Sequence, residues 1–119
     1  MIVILVIVAW LLSPTPLAAS TLLENFEQYS EGAFPARWRG KNNDAQKIYR
    51  IASENGNRFL RAQSNNQGVQ LALEHSANPK EQRRLSWRWR VHTFPTGADE
   101  RLGAKHDAAA QVYVIFDNQ

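Results

Sequence analysis

Two arginines, Arg88 and Arg90, are the clearest candidates for ligand binding in the sequence. They stand two residues apart in a strictly alternating stretch, so a β-strand would place both side chains on one face. Two guanidinium groups on one face can bind a carboxylate or a sulfate through paired hydrogen bonds. The alternative is a solvated outer face, on which the arginine stems cover apolar surface. We predict Arg88 and Arg90 as ligand-binding residues and leave that alternative open.

An aromatic pair, Phe34 and Trp38, is the second candidate. Both residues lie in a stretch that Gly32 and Pro35 mark as a loop. An aromatic ring in a loop can stack on the apolar face of a sugar ring, and its large area makes that contact favourable. The alternative is that both rings plug the mouth of a folded sheet. Of the two, Trp38 is predicted as the ligand-binding residue.

Two acids, Asp99 and Asp107, flank the last long connection of the chain. Paired carboxylates there can act as general acid and base in glycan cleavage. Oxygen ligands on loops between strands can also hold Ca²⁺. The spacing matches no EF-hand or zinc pattern, and the simpler interpretation gives both acids structural roles. Asp99 would then shape its turn, and Asp107 would pair with Arg101 or Lys105.

Other familiar catalytic patterns are missing from the sequence. It contains no cysteine, no Gly-rich phosphate loop and no Gly-x-Ser-x-Gly nucleophile motif. His75 and His92 have no partner at metal-ligand spacing. We therefore predict no cofactor, with Ca²⁺ at Asp99 and Asp107 as the open alternative.

The elements that must position these residues are predicted to be short strands. In Leu85–Val91 the apolar side chains fall on one face and the arginines on the other. Trp87 and Trp89 can each bury about 200 Å² on that face, so we predict that they lie in the core. Ala108–Phe116 is apolar on both faces, which predicts a central strand. Its residues Gln111–Phe116 are expected to pair with Leu85–Val91.

A hairpin is predicted over residues 47–62. Asn55 and Gly56 at its centre suit a two-residue turn that needs positive φ at both positions. That turn places Ile51 opposite Leu60 on an apolar face.

The same register places Arg50 opposite Arg61 on the other face of the hairpin, and that face is therefore expected to be solvated. Farther along, Val69, Leu71 and Leu73 alternate with polar or small residues. This alternation predicts a third strand with one buried face.

Residues 1–20 are predicted to be a signal peptide. Ile2–Leu12 is an unbroken apolar run, shorter than the roughly 20 residues that span a bilayer. Leu17–Ser20 supplies the small residues that a signal peptidase reads. No Lys or Arg precedes the apolar run, so an uncleaved anchor is the alternative. We expect a periplasmic or secreted bacterial protein that has no membrane association after cleavage.

The composition limits the classes of partner. The 119 residues allow one domain. Fourteen basic and 11 acidic residues give a net charge of +3, and the basic residues form no clustered stripe, so we predict no nucleic-acid partner. Without cysteine the chain has no disulfide and no site for a lipid anchor. The sequence does not define an oligomeric state.

Residues 21–119 are predicted to form an all-β domain. Short strands separated by turn residues favour an antiparallel β-sandwich of jelly-roll or carbohydrate-module type. The last predicted strand has the character of a central strand, which needs a neighbour on each side. We therefore expect the sandwich to be incomplete at the C-terminus.

A family resemblance rests on the run Trp87-Arg88-Trp89-Arg90 and on the segments that follow it. Together with Phe94-Pro95, Gly97–Arg101, Asp107 and Val112–Phe116, this run resembles the DUF3047 family of bacterial exported proteins of unknown function. Segments nearer the N-terminus are similar to that family's N-terminal half: Phe34-Pro35, Trp38, Tyr49–Ile51 and Leu60–Ala62.

The resemblance implies an exported protein with further strands beyond residue 119. It also implies paired acids before the last strand and an arginine in the approach to it. Here Lys105-His106-Asp107 retains one acid, and Gln111 stands where the arginine is expected.

These features favour a non-enzymatic domain that binds a glycan or another polar ligand, and a small anionic ligand is among the partners we expect. One alternative is a glycan-active enzyme that uses Asp99 or Asp107. Another is a structural or interaction domain of the cell envelope, whose open sheet edge receives a strand from a partner.

Overall fold

The computed structural model describes residues 20–99, 101–105 and 109–116. The predicted signal peptide covers residues 1–20, of which 1–19 lie outside the described residues. The predicted site residue Asp107 also lies outside them. The chain divides into two compact units, with the division between Ser76 and Ala77.

The first unit contains all the strands found among the described residues. In chain order its elements are β1 (Arg39–Gly40), α1 (Ala45–Ile48), β2 (Tyr49–Glu54), β3 (Asn57–Ala62) and β4 (Leu71–Ala72). They form two antiparallel two-stranded sheets, β2 with β3 and β1 with β4. In the described part of the second unit the one regular element is a 3₁₀ turn, Gly103–Lys105. The regular structure is thus mostly strand with little helix.

The hairpin of β2 and β3 has the predicted register. Asn55 and Gly56 form its turn with φ angles of 51° and 76°, the left-handed values that a tight hairpin turn of this kind requires. Ile51 lies opposite Leu60, as expected from that turn. The hairpin prediction is confirmed over Tyr49–Ala62, whereas Lys47 and Ile48, also predicted to lie in the hairpin, belong to α1. The register is predictable because its two signals, turn chemistry and strand alternation, are both local in sequence.

The core of the first unit lies around Ile51. This side chain is buried together with Ala45 and Ile48 of α1. On its other edge β2 is extended by two backbone hydrogen bonds, one from Gly32 N–H to the Ile51 carbonyl at 2.8 Å and one from Ile51 N–H to the Ala33 carbonyl at 2.9 Å. The N-terminal loop therefore pairs with the second edge of β2, as a short third strand would.

The second sheet joins β1 to β4 and is very short. Around β4, the side chains of Val69, Leu71 and Leu73 are half-buried while their neighbours are exposed. The predicted alternation is thus present, although the strand itself contains only Leu71 and Ala72. The Tyr49 hydroxyl donates a 2.6 Å hydrogen bond to the Val69 carbonyl, which ties β2 to the segment that leads into β4.

Two stretches predicted as strands do not form strands within the described residues: Leu85–Val91 and 109–116. In the second unit Trp87 and Trp89 are 54% and 62% exposed, so their predicted place in a core is not observed. Backbone groups of a strand need partners along its edges, and neither Leu85–Val91 nor 109–116 has a paired strand within the part of the chain that the structure describes.

No helix among the described residues is long and apolar enough to cross a bilayer.

Candidate ligand-binding groove

A groove of about 420 Å³ opens on the first unit. Its aromatic wall consists of Phe34 and Trp38, both half-buried. Cations and amides line the remainder, contributed by β1 and by the polar turn between β1 and α1. The groove therefore combines aromatic residues with hydrogen-bonding side chains, the composition typical of small-molecule sites.

Three contacts fix the position of Trp38. Its backbone N–H donates to the Pro35 carbonyl at 3.0 Å, which closes a turn before β1. Its indole stacks on Phe26, with ring centroids 5.9 Å apart and planes 25° apart. Its Nε1–H donates to Oε2 of Glu24 at 3.2 Å. The ring at the groove is therefore held rigidly, which lowers the entropy cost of binding a ligand against it.

Glu24 is the centre of this support. Its side chain is only 5% exposed, and it accepts hydrogen bonds at both carboxylate oxygens. Oε1 accepts from the N–H groups of Asn25 and Phe26 at 3.0 and 2.8 Å. It also accepts from the Gln28 amide at 2.9 Å. Oε2 accepts from the hydroxyl of Tyr29 at 3.1 Å, in addition to Trp38.

The charge of Glu24 is stabilised by the same hydrogen bonds. Burial raises the pKa of a carboxyl group, but the bonds from Phe26 N–H, Gln28, Trp38 and Tyr29 outweigh burial and hold the pKa of Glu24 below its usual value of 4.5. The Arg37 guanidinium lies 3.8 Å from Oε2 and adds a favourable charge. Glu24 is therefore an ionised structural carboxylate, fully occupied by its neighbours.

Two cations, Arg39 and Lys41, line the groove. Arg39 lies in β1, and the Lys41 N–H donates to the Gln70 carbonyl at 3.0 Å, which continues the pairing of β1 with the β4 side by one residue. Arg39 forms an ion pair with Glu74 at 3.2 Å, in which both side chains are 79% exposed. Lys41 has no ion-pair partner among the described residues.

The amides of the groove come from the turn after β1. Asn42 caps that turn, because its Oδ1 accepts the N–H of Asp44 at 3.0 Å and its carbonyl accepts the N–H of Ala45 at 3.2 Å. Asn43 and Gln46 are exposed, and neither amide side chain is bonded within the described residues. Both amides can therefore donate to and accept from a ligand.

One wall of the groove depends on the close approach of Gly40 to Ala45. Gly40 lies so near α1 that a Cβ atom added to it would be 2.1 Å from the Cβ of Ala45. Ala45 itself is completely buried. Only a glycine at position 40 allows the polar turn to fold back onto β1 and form the groove wall.

The predicted pair Arg88 and Arg90 belongs to the second unit and Trp38 to the first. Both arginines are exposed, as is every residue of 81–90. Beside them, Trp87 and Trp89 line a shallow apolar depression of about 120 Å³ with Ala110 and Val112. The structure thus brings the two predicted partner stretches together at this point, and the roles of Arg88, Arg90 and Trp38 in ligand binding stay predictions.

Asp99, the candidate acid within the described residues, is bound by its own turn. The guanidinium of Arg101 donates to both Asp99 oxygens, from Nε at 2.9 Å and from Nη2 at 2.8 Å. Arg101 N–H donates to the same carboxylate at 3.1 Å. The side-chain and backbone bonds from Arg101 lower the pKa of Asp99 below 3.8. This is the turn-shaping arrangement given above as the simpler interpretation, although the predicted ion-pair partner of Arg101 was Asp107.

The described residues contain no cluster of side chains that could bind a metal ion. Within 20–99, 101–105 and 109–116, no three histidine or acidic residues lie close enough together to hold a metal ion. Asp107, the other candidate for Ca²⁺, is outside those ranges.

Glu24 is not among the candidate residues predicted from the sequence. The one available signal is its position in Leu22–Phe26, where a strand would place it on the same side as two apolar residues. An acid in such a place needs hydrogen-bonding partners, but the most informative one, Trp38, lies 14 residues farther along the chain. Spacing alone does not reveal that contact.

Comparison with known proteins gives one family match. No curated protein and no solved structure matches the chain. Residues 36–119 match a family described as "Protein of unknown function (DUF3047)", and the match includes Trp38 and both groove cations. Since it spans well over half of the sequence, this chain belongs to the DUF3047 family.

Proposed function

We propose that this DUF3047 member is an exported binding protein that holds a glycan in the groove at Trp38. The observation that carries the proposal is the side-by-side placement of aromatic rings and unpaired amides. Phe34 and Trp38 line the same groove as Asn43 and Gln46. Sugars present apolar C–H faces and a rim of hydroxyl groups, so they need both kinds of contact at once.

The size and rigidity of the groove support this proposal. A volume of about 420 Å³ falls in the range of small-molecule sites. The indole of Trp38 is fixed by its hydrogen bond to Glu24 and by its stack on Phe26. A ring held in place before binding loses little conformational entropy when a sugar stacks on it.

The finer fold and the location belong to the same proposal. The two antiparallel sheets and the alternation around Leu71 support a sandwich of jelly-roll or carbohydrate-module type. The apolar run Ile2–Leu12, followed by the small residues of Leu17–Ser20, supports export to the periplasm or the medium.

The test is glycan-array binding of the whole chain against variants of two sites. The first is Asn43→Ala/Gln46→Ala, which removes two groove amides without touching the Glu24 contacts. Gln67→Ala is its matched control, because Gln67 is an exposed amide outside the groove. The second is Arg88→Ala/Arg90→Ala, which tests the sequence-based candidates in the second unit.

A glycan that binds the wild type and the control, but binds the Asn43/Gln46 variant about tenfold more weakly, is the expected result, since each lost hydrogen bond is worth roughly 0.5–1.5 kcal/mol. Equal binding by the groove variant would overturn the groove assignment, and loss only in the Arg88/Arg90 variant would move the site to the second unit. Release of new reducing ends from the bound glycan would favour an enzyme over a binding protein.

A further inference from the structure

The charged side chains that line the groove are all of one sign. Of the side chains that line it, two are cationic, Arg39 and Lys41, and none is acidic; the structure describes every one of them. A neutral sugar gains little from such a wall, whereas a ligand that carries negative charge is attracted to it. The two cations therefore favour a negatively charged ligand, which the aromatic rings and the amides alone would not do.

Lys41 is available for a ligand. Among the described residues no carboxylate forms an ion pair with it, and its side chain is exposed. Its backbone is nevertheless fixed by the bond to the Gln70 carbonyl. The ammonium group can thus reach into the groove from an anchored position.

Arg39 has a partner that a ligand can displace. Its ion pair with Glu74 is 3.2 Å long, and both side chains are 79% exposed. Exposed pairs of this kind are weak because water screens them. A ligand carboxylate that is already held by the groove can take the place of Glu74 on the Arg39 guanidinium.

From these observations we infer that the ligand is an acidic glycan of the hexuronate type, whose carboxylates lie against Lys41 and Arg39. This inference rests on the proposed glycan-binding function and adds the chemical class. The ring faces of Phe34 and Trp38 and the amides of Asn43 and Gln46 suit a sugar bearing a carboxylate. An inorganic anion would use only the cations and leave the aromatic wall without a role.

Single-stranded nucleic acid is the other polyanion that combines negative charge with flat rings. It normally needs a longer basic track, and the groove presents only two cations. The three amides beside them are better matched to the hydroxyl groups of a sugar. An oligothymidylate is accordingly included in the test as a competitor.

The experiment uses the whole chain and two pairs of probes. Oligogalacturonate and oligomannuronate are each compared with the same oligosaccharide after its carboxyl groups have been reduced to alcohols. Binding is measured by calorimetry at low and at high salt. The variants are Lys41→Gln, Arg39→Gln and Glu74→Gln, with Lys80→Gln as a control at an exposed lysine of the second unit that does not line the groove.

We expect at least one uronate to bind more tightly than its reduced form, with the difference shrinking as salt rises. Lys41→Gln is expected to weaken uronate binding about threefold and to leave the affinity for the reduced glycan unchanged. Glu74→Gln is expected to strengthen uronate binding, because it frees Arg39. Lys80→Gln is expected to change neither.

The outcomes separate this inference from the proposed function. If the reduced glycans bind as tightly as the uronates, and binding depends on Asn43 and Gln46 but not on Lys41, the groove binds neutral glycans and the acidic class is wrong. If no glycan binds, both proposals fail together. Displacement of the uronate by oligothymidylate at equal or lower concentration would overturn the acidic-glycan assignment in favour of nucleic acid.

Discussion

The indole Nε1–H of Trp38 donates a 3.2 Å hydrogen bond to the carboxylate of Glu24, 14 residues earlier in the chain. This bond links the N-terminal loop to one of the two aromatic residues that line the groove. Because Glu24 is nearly buried and ionised, the bond is charge-assisted and therefore stronger than one between neutral groups. The stability of the loop and the geometry of the groove are thus coupled through one pair of residues.

Glu24→Gln is expected to destabilise the first unit by about 1–3 kcal/mol. The amide keeps one acceptor oxygen for the N–H groups of Asn25 and Phe26, and its NH₂ group then faces the indole N–H of Trp38, which cannot accept a hydrogen bond. Urea unfolding followed by tryptophan fluorescence measures the loss.

The control for Glu24→Gln is Glu31→Gln, at an exposed acid without a partner among the described residues. It removes the same charge and should leave the urea midpoint unchanged. If the two variants unfold at the same urea concentration, the Glu24 contacts do not stabilise the protein.

The lowered pKa of Glu24 predicts an acid-sensitive contribution to stability. Burial opposes ionisation, but the surrounding hydrogen bonds win and hold the folded-state pKa below 4.5. Between the two values the unfolded state binds more protons, so the free energy of unfolding rises with pH there. The contribution is complete above about pH 4.5 and is lost as the pH falls through the folded-state pKa.

Urea unfolding of wild type and Glu24→Gln between pH 3 and pH 7 measures this dependence. The wild type should lose its advantage over the variant in the acidic part of the range. Asp99→Asn serves as the control, because the Asp99 carboxylate also has a lowered pKa but, among the described residues, accepts its hydrogen bonds from Arg101 of its own turn. A constant difference between wild type and Glu24→Gln across the range would contradict the assigned ionisation of Glu24.

The parts of the structure that the sequence predicts are those fixed by neighbours in the chain. Asn55 and Gly56 set the hairpin register because the turn itself requires positive φ. For Trp87 and Trp89, alternation predicts which face is apolar but not what covers that face, and both side chains are more than half exposed.

Only part of the groove is predictable from the sequence. Trp38 is an aromatic residue in a predicted loop, and it lines the groove. Its neighbours there depend on the close approach of Gly40 to Ala45, and its support depends on Glu24. Such contacts join residues that share no periodic pattern, so only the three-dimensional arrangement reveals them.

Arg61→Glu is expected to stabilise the hairpin by about 0.2–1 kcal/mol. Arg50 and Arg61 lie directly opposite each other in the register of β2 and β3. The substitution replaces a like-charge pair with an opposite-charge pair across the strands. Thermal unfolding at low and high salt measures the gain, which should shrink as salt screens the charges.

Arg61→Gln separates the two parts of that effect, because it removes the repulsion without adding an attraction. Its stability should lie between those of the wild type and Arg61→Glu. A gain that is equal at low and high salt would mean that charge is not its cause.

Gly40→Ala is expected to impair both stability and the groove. The added Cβ would lie 2.1 Å from the Cβ of Ala45 and 3.2 Å from the Asn42 carbonyl oxygen, so β1 and the turn before α1 must move apart. Overpacking of this kind costs about 1–3 kcal/mol. Gly68→Ala is the matched control, because nothing lies within 4 Å of its added Cβ. Gly40→Ala should unfold at a lower urea concentration than Gly68→Ala and should bind the glycan more weakly. Gly68→Ala should be close to the wild type in both measurements. If Gly40→Ala has wild-type stability and wild-type affinity for the glycan, the turn does not need the close approach of Gly40 to Ala45.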